Sequence, residues 1–106
     1  DDGEIYSRLS QLYLEKDQYK KCTDAADNAL EKGVDREYNT EIVLGMCLFN
    51  RDRLTQARKT FVTARRHARV DKNESVERIC NQWITYIDRD RIRRDQLAKA
   101  EADFTG

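Results

Sequence analysis

The chain has 106 residues, 39% apolar and 38% charged, which is enough for one small domain with a thin core. Twenty basic side chains balance 20 acidic ones, and this argues against a polyanion binder, which carries a basic surplus. The absence of proline and the presence of only 4 glycines argue against a turn-rich sandwich or barrel, and the longest apolar run (residues 42–49) is too short to span a bilayer.

The chain opens Asp1-Asp2-Gly3-Glu4, with neither Met nor a secretion signal, and is read as a segment of a longer protein. A first helix is expected in "EIYSRLSQLYLE", where Tyr6, Leu9, Ser10 and Tyr13 share one face of a 3.6-residue period. Asp17 is expected to cap the next helix, its carboxylate accepting from free backbone N–H groups. That second helix, "QYKKCTDAADNALEKG", puts Tyr19, Cys22, Ala26 and Ala29 on one face, and Gly33 suits a left-handed stop. Val43, Leu44, Gly45 and Leu48 are the expected inner face of a third helix. Asp52 is the expected cap of a fourth, whose inner face is Leu54, Ala57, Phe61 and Ala64. Val76, Ile79, Cys80 and Trp83 begin another such unit, but no turn follows. Residues 74–101 are therefore read as one long helix, capped by Asp71 or Asn73, with Trp83 packed on the preceding unit. Its Arg-rich distal half is expected to project into water, with Asp90 pairing with Arg93 or Arg94 along a solvated helix end.

A shift of about 35 residues lays the chain on itself. Ser10, Gly45 and Cys80 coincide, as do Leu9, Leu44 and Ile79, then Tyr13, Leu48 and Trp83, then Cys22, Ala57 and Ile92, then Asp17 and Asp52. Small residues at recurring positions let helix axes approach closely, and the large ones fill the gaps.

These residues resemble the tetratricopeptide repeat, W-x2-L-G-x2-Y followed by A-x3-F. The second unit matches as Leu44-Gly45-x2-Leu48 and Ala57-x3-Phe61, and the first as Tyr6-x2-Leu9-Ser10-x2-Tyr13 and Cys22-x3-Ala26. Glu41 stands at the Trp position, and Val34 and Arg69 stand where the family often has Pro. The resemblance implies an all-α superhelix of antiparallel helix-turn-helix repeats, with one repeat over 3–36, a second over 37–71 and a capping helix over 74–101. It also implies a protein or peptide partner on the concave face. Carried over by register, that face holds Arg8, Gln11 and Leu14, then Ile42, Met46 and Phe49, then Asn81 and Ile84, with Ser7 and Glu77 at the matching register. Ile42, Met46 and Phe49 form one stripe, read either as an apolar floor for a partner or as part of a central helix buried on both sides.

Charge is segregated despite the even total. Residues 51–72 carry 8 basic and 2 acidic side chains. Arg58, Lys59, Arg65, Arg66 and Arg69 are read as a solvated face, with a patch for nucleic acid or an acidic partner as the alternative. Self-association of a longer array is a further alternative. Cys22, Cys47 and Cys80 cannot all pair within one chain and form no CxxC, so they are read as small core residues. His67 is the single histidine, and neither a nucleophile elbow nor a phosphate loop occurs. No catalytic residue, metal site or cofactor is therefore expected.

A finer resemblance covers nearly the whole chain. The order "DDGEIYSRLSQLYLEKDQY", "LGMCLFNRDRLTQARKTF", "NQWITYIDRDRIRRDQL" looks like the C-terminal end of larger repeat proteins of gammaproteobacteria, encoded beside Ton-type (TonB/ExbB/ExbD-like) energy-transduction systems. It implies a periplasmic or envelope location and an envelope-protein partner; without it, a cytoplasmic location is the default.

Overall fold

Small residues every third or fourth position and the lack of proline yield five helices, and the computed structural model describes residues 1–105. They are α1 (Asp2–Glu15), α2 (Tyr19–Lys32), α3 (Glu37–Asn50), α4 (Leu54–Val70) and α5 (Glu74–Thr105). Each helix packs on the next in sequence, and α1 also touches α3. Connections of three or four residues force consecutive helices to run antiparallel. The described chain is therefore all-helical and repeat-like, two hairpins followed by a long fifth helix. No described helix is long and apolar enough to cross a membrane.

Three of the connections use one turn. Gln18, Arg53 and Asn73 each donate a backbone N–H to the carbonyl five residues back (Tyr13, Leu48 and Ala68) at 2.8–2.9 Å. The residue before each is left-handed: Asp17, Asp52 and Lys72 have φ of 58°, 63° and 56°. This is the Schellman closure, in which one left-handed residue lets the last helical carbonyls find donors. It corrects the expectation that Asp17 and Asp52 are N-caps. Both sit one residue too early, in the left-handed position that Asp tolerates well. Side-chain caps occur elsewhere: Asp1 Oδ1 accepts from Glu4 N at 3.0 Å, and Asn73 Oδ1 accepts from Val76 N at 3.1 Å. Gly33, with φ of 95°, supplies the expected positive-φ stop after α2.

The expected inner faces of α2, α3 and α4 pack as the periodicity required, whereas Tyr6, Leu9 and Tyr13 of α1 are only half-buried and Ile79, expected inside α5, is exposed. Cys22, Ala26, Ala29, Ala57, Phe61 and Ala64 are fully buried, and Val43, Leu44, Gly45 and Leu48 are buried beside them. Gly45 has a steric reason: a Cβ there would sit 2.7–2.9 Å from three atoms of the Phe61 ring. Trp83 of α5 stacks nearly parallel on the same ring, 4° off, with centroids 5.2 Å apart. One phenyl ring thus joins α3, α4 and α5. Between the hairpins, the buried Ser7 and Thr40 hydroxyls share a hydrogen bond of 2.9 Å.

The cysteine reading is corrected. Cys22 of α2 and Cys47 of α3 form a disulfide across the two hairpins, in a small cluster with Val43, Tyr13, Leu14 and Tyr19. Cys80 alone keeps its thiol, buried in the main core.

The long helix forms as expected, but its distal end begins later than the Asp90 region. Asp90 is 6% exposed, held between Arg93 and Arg94, while Arg94 Nη1 reaches Asp52 Oδ1 at 2.7 Å. This network ties α5 to the α3–α4 turn, so the "DRDRIRRDQ" stretch is anchored at its start. Residues 91–105 are exposed throughout. The long helix also accounts for the elongated shape, 57 × 30 × 20 Å with a radius of gyration of 15.7 Å, against about 13 Å for a compact chain of this length.

Candidate functional site

Helix spacing sets what the α1–α3–α5 side can offer. Of the positions carried over by register, Arg8 and Gln11 are exposed on α1, whereas Leu14 is half-buried beside the disulfide cluster. Ile42, Met46 and Phe49 are half-buried and packed against the main core, so each supports the fold and still shows a surface. On α5 the register breaks down. Ile84 is 6% exposed, a core residue rather than a groove residue. Asn81 turns toward α4, where its Oδ1 accepts from Arg65 Nη1 at 2.8 Å. Glu77 pairs with Arg69, and Ser7 is buried. The cause is the rotation of α5 about its axis. Its buried stripe is Val76, Cys80, Ile84 and Ile87, spaced i, i+4, i+8, i+11, and this stripe sets what remains outside.

An aromatic cluster remains outside. Phe49 of α3 meets Trp83 edge-on at 5.5 Å and Tyr86 at 5.4 Å, and Trp83 meets Tyr86 at 6.0 Å. Tyr86 is 53% exposed, while Trp83 is half-buried by its stack on Phe61. Gln82, Trp83 and Tyr86 line a shallow hollow of about 330 Å³, and a neighbouring one of about 410 Å³ runs from Arg78 through Thr85 to Arg89. The cluster presents large, rigid apolar surface edged by amide and guanidinium groups. Sequence reasoning assigned Trp83 only to packing and left Tyr86 and Gln82 out. Their signal was present, since Gln82, Trp83 and Tyr86 fall on one helical face, but it has meaning only once α5 is rotated into place.

The basic stripe is largely committed to internal pairs. Arg58 clasps Asp88 of α5 through two contacts, Nε–Oδ1 at 2.8 Å and Nη2–Oδ2 at 3.2 Å. The guanidinium holds the Asp88 carboxyl below its usual range, and the carboxylate in turn raises Arg58. Arg65 and Arg69 are bound to Asn81 and Glu77. Lys59 and Arg66 remain exposed. Lys59 borders a hollow of about 540 Å³ between α2 and α4 whose walls mix Lys20, Arg51 and Arg53 with Asp24 and Asp27. Arg58, Arg65 and Arg69 are thus docked on α5, and the hollow beside Lys59 mixes both signs of charge.

A third cluster lies where the start of α3 meets the end of α4. His67 Nδ1 stands 2.7 Å from Glu41 Oε1 and 3.7 Å from Glu37 Oε2. Glu41 is 6% exposed, and burial pushes its carboxyl above the usual range while the His67 hydrogen bond pulls it back down. The buried Cys80 thiol is pushed up to about 11, chiefly by desolvation, which removes it as a nucleophile near neutral pH.

No family model, curated protein or solved structure matches the chain.

Proposed function

We propose that the protein is an interaction scaffold of the tetratricopeptide type that binds a partner protein or peptide on the side formed by α1, α3 and the proximal half of α5. The observation that carries this reading is the Phe49–Trp83–Tyr86 cluster, rigid through its stack on Phe61 and still open to solvent at Tyr86. Aromatic anchors of this kind supply contact area at low entropic cost and dominate binding energy where a partner covers them. Arg8 and Gln11 would supply polar contacts along α1.

The finer reading places the chain in the cell envelope, as the C-terminal part of a Ton-linked repeat protein. The Cys22–Cys47 disulfide supports it, because such bonds persist in oxidising compartments and are rare in the cytosol. A second reading, self-association, is favoured by the distal part of α5, where Ile92, Leu97 and Phe104 are 58%, 58% and 92% exposed.

Capture from an envelope extract with a Gln82→Glu/Tyr86→Glu variant beside the wild type tests the scaffold reading. Lys59→Glu, on the α2–α4 side, serves as the control. Both positions of the double variant are exposed, but Tyr86 also packs on Phe49 and Trp83, so the variant should keep its helicity and melt about 5 °C lower. Loss of a specific partner in the double variant alone is the expected result. Equal capture by all three chains removes the aromatic face from consideration. Light scattering across a concentration series on the same samples decides self-association, which predicts a mass that grows with concentration and falls back after Leu97→Glu/Phe104→Glu.

A further inference from the structure

At the position where the resemblance expects a large aromatic residue, the second hairpin buries a carboxylate, Glu41. The shift of about 35 residues makes Tyr6 its counterpart in the first hairpin, and there Lys32 lies over the Tyr6 ring at 5.8 Å. His67 is the counterpart of Lys32, and Glu37 that of Asp2. The same slot is therefore filled by a cation over an aromatic ring in one hairpin and by two carboxylates facing an imidazole in the other.

We propose that Glu37, Glu41 and His67 form a binding site for a divalent transition-metal ion of the zinc type. Their ligating atoms all lie within 4.8 Å of one another. Glu37 and Glu41 are four apart on α3 and so share a face, and His67 meets them from the last turn of α4. Ligands bonded to zinc at about 2.0–2.1 Å sit roughly 3.0–3.4 Å from each other. The His67 distances of 2.7 and 3.7 Å bracket that range, so small side-chain rotations suffice to admit the ion. Glu41 is fixed by burial, which supplies one pre-positioned oxygen, while the partly exposed His67 and the exposed Glu37 border a hollow of about 270 Å³ that gives access. One imidazole and two carboxylates suit a borderline ion better than magnesium, which prefers an all-oxygen octahedron that retains water. Three protein ligands leave a position for water or for a side chain from a partner. On binding, the metal takes the place of the proton shared between Nδ1 and Glu41. A neutral ring changes tautomer to carry its proton on Nε2, and a protonated ring releases one proton to solvent. Arg36 borders the hollow, Arg66 acts on Glu41, and the start of α3 adds a partial positive charge, so the expected affinity is micromolar rather than nanomolar.

Titration calorimetry of the chelator-stripped protein with zinc chloride, repeated with magnesium chloride, decides the matter. One zinc ion per chain is expected, no response to magnesium, and a rise in melting temperature with zinc. Glu37→Gln and His67→Gln should each weaken zinc binding by at least the roughly tenfold to hundredfold that losing an outer-shell partner costs. Glu37 is exposed, so that variant folds whatever the role of His67, and the His67 imidazole resonances in the wild type should shift on zinc addition. No binding at millimolar zinc, binding undiminished in both variants, or an equal response to magnesium would each overturn the proposal.

Discussion

Phe61→Ala should destabilise the protein by about 4 kcal/mol, the range for truncating a large buried aromatic side chain. On a domain of about 100 residues that lowers the melting temperature by roughly 20 °C. The side chain is fully buried, its ring blocks the space above Gly45, and Trp83 stacks on it. Removal opens a cavity bounded by three helices, none of which can close it without losing its other contacts. Two readouts test this beyond the melt. Trp83 is the only tryptophan, so its emission should shift to the red as the stack is lost and water reaches the indole. Gly45→Ala should destabilise the wild type, because the new methyl meets the ring, but should be neutral or stabilising alongside Phe61→Ala, where the space is free and alanine favours the helix. A coupling of this sign needs direct contact between the two sites. A Phe61→Ala protein that melts within a few degrees of the wild type would contradict the packing.

Replacing both Cys22 and Cys47 with alanine, or reducing their bond, should cost about 3.5 kcal/mol, from the loop-closure entropy of a 25-residue separation. The bond joins α2 to α3 and so locks the first hairpin to the second. Without it that junction keeps its non-covalent contacts: the small cluster of Val43, Tyr13, Leu14 and Tyr19, the packing of Ala26 with Tyr38 and Leu44, and the Ser7–Thr40 and Arg51–Thr23 hydrogen bonds. Thiol counting provides a sharper check than melting. The native chain should show no thiol reactive near neutral pH, because Cys80 is buried and its thiol is pushed up to about 11. Denaturation without reductant should expose one thiol, and denaturation with reductant all three. Three reactive thiols in the denatured, unreduced protein would mean that the bond is not formed, and the argument for an oxidising compartment would go with it.

The five helices, the inner faces of α2, α3 and α4 and the length of the last helix could be read directly from the chain. Each depends on neighbours three or four residues apart, and a helix of 3.6 residues per turn converts that spacing into a face. The recurrence of small residues at Ser10, Gly45 and Cys80 further indicated where helices approach each other. Even the misplaced caps at Asp17 and Asp52 marked the correct turns. The error was one residue of register within a turn, where a left-handed Asp and a capping Asp occupy adjacent positions and have similar local chemistry.

What only the tertiary structure decided has a common physical origin: it depends on how one helix is rotated and set against another. The Val76–Cys80–Ile84–Ile87 stripe turned α5 so that Ile84 went inward, against the register carried over from α1 and α3, and it left Tyr86 outside. The Cys22–Cys47 bond spans 25 residues, the Arg58–Asp88 pair 30 and the Glu41–His67 contact 26. No spacing in the chain distinguishes such partners from the many others of equal separation. They meet because close packing of small residues fixes axis distances to within an ångström or two, and at that distance a thiol, a guanidinium or an imidazole acquires a specific neighbour. The sequence by itself determined that this chain makes helices and which side of most of them is buried; the packing of those helices determined which charges are neutralised, which thiols are joined and which aromatic rings stay open to solvent.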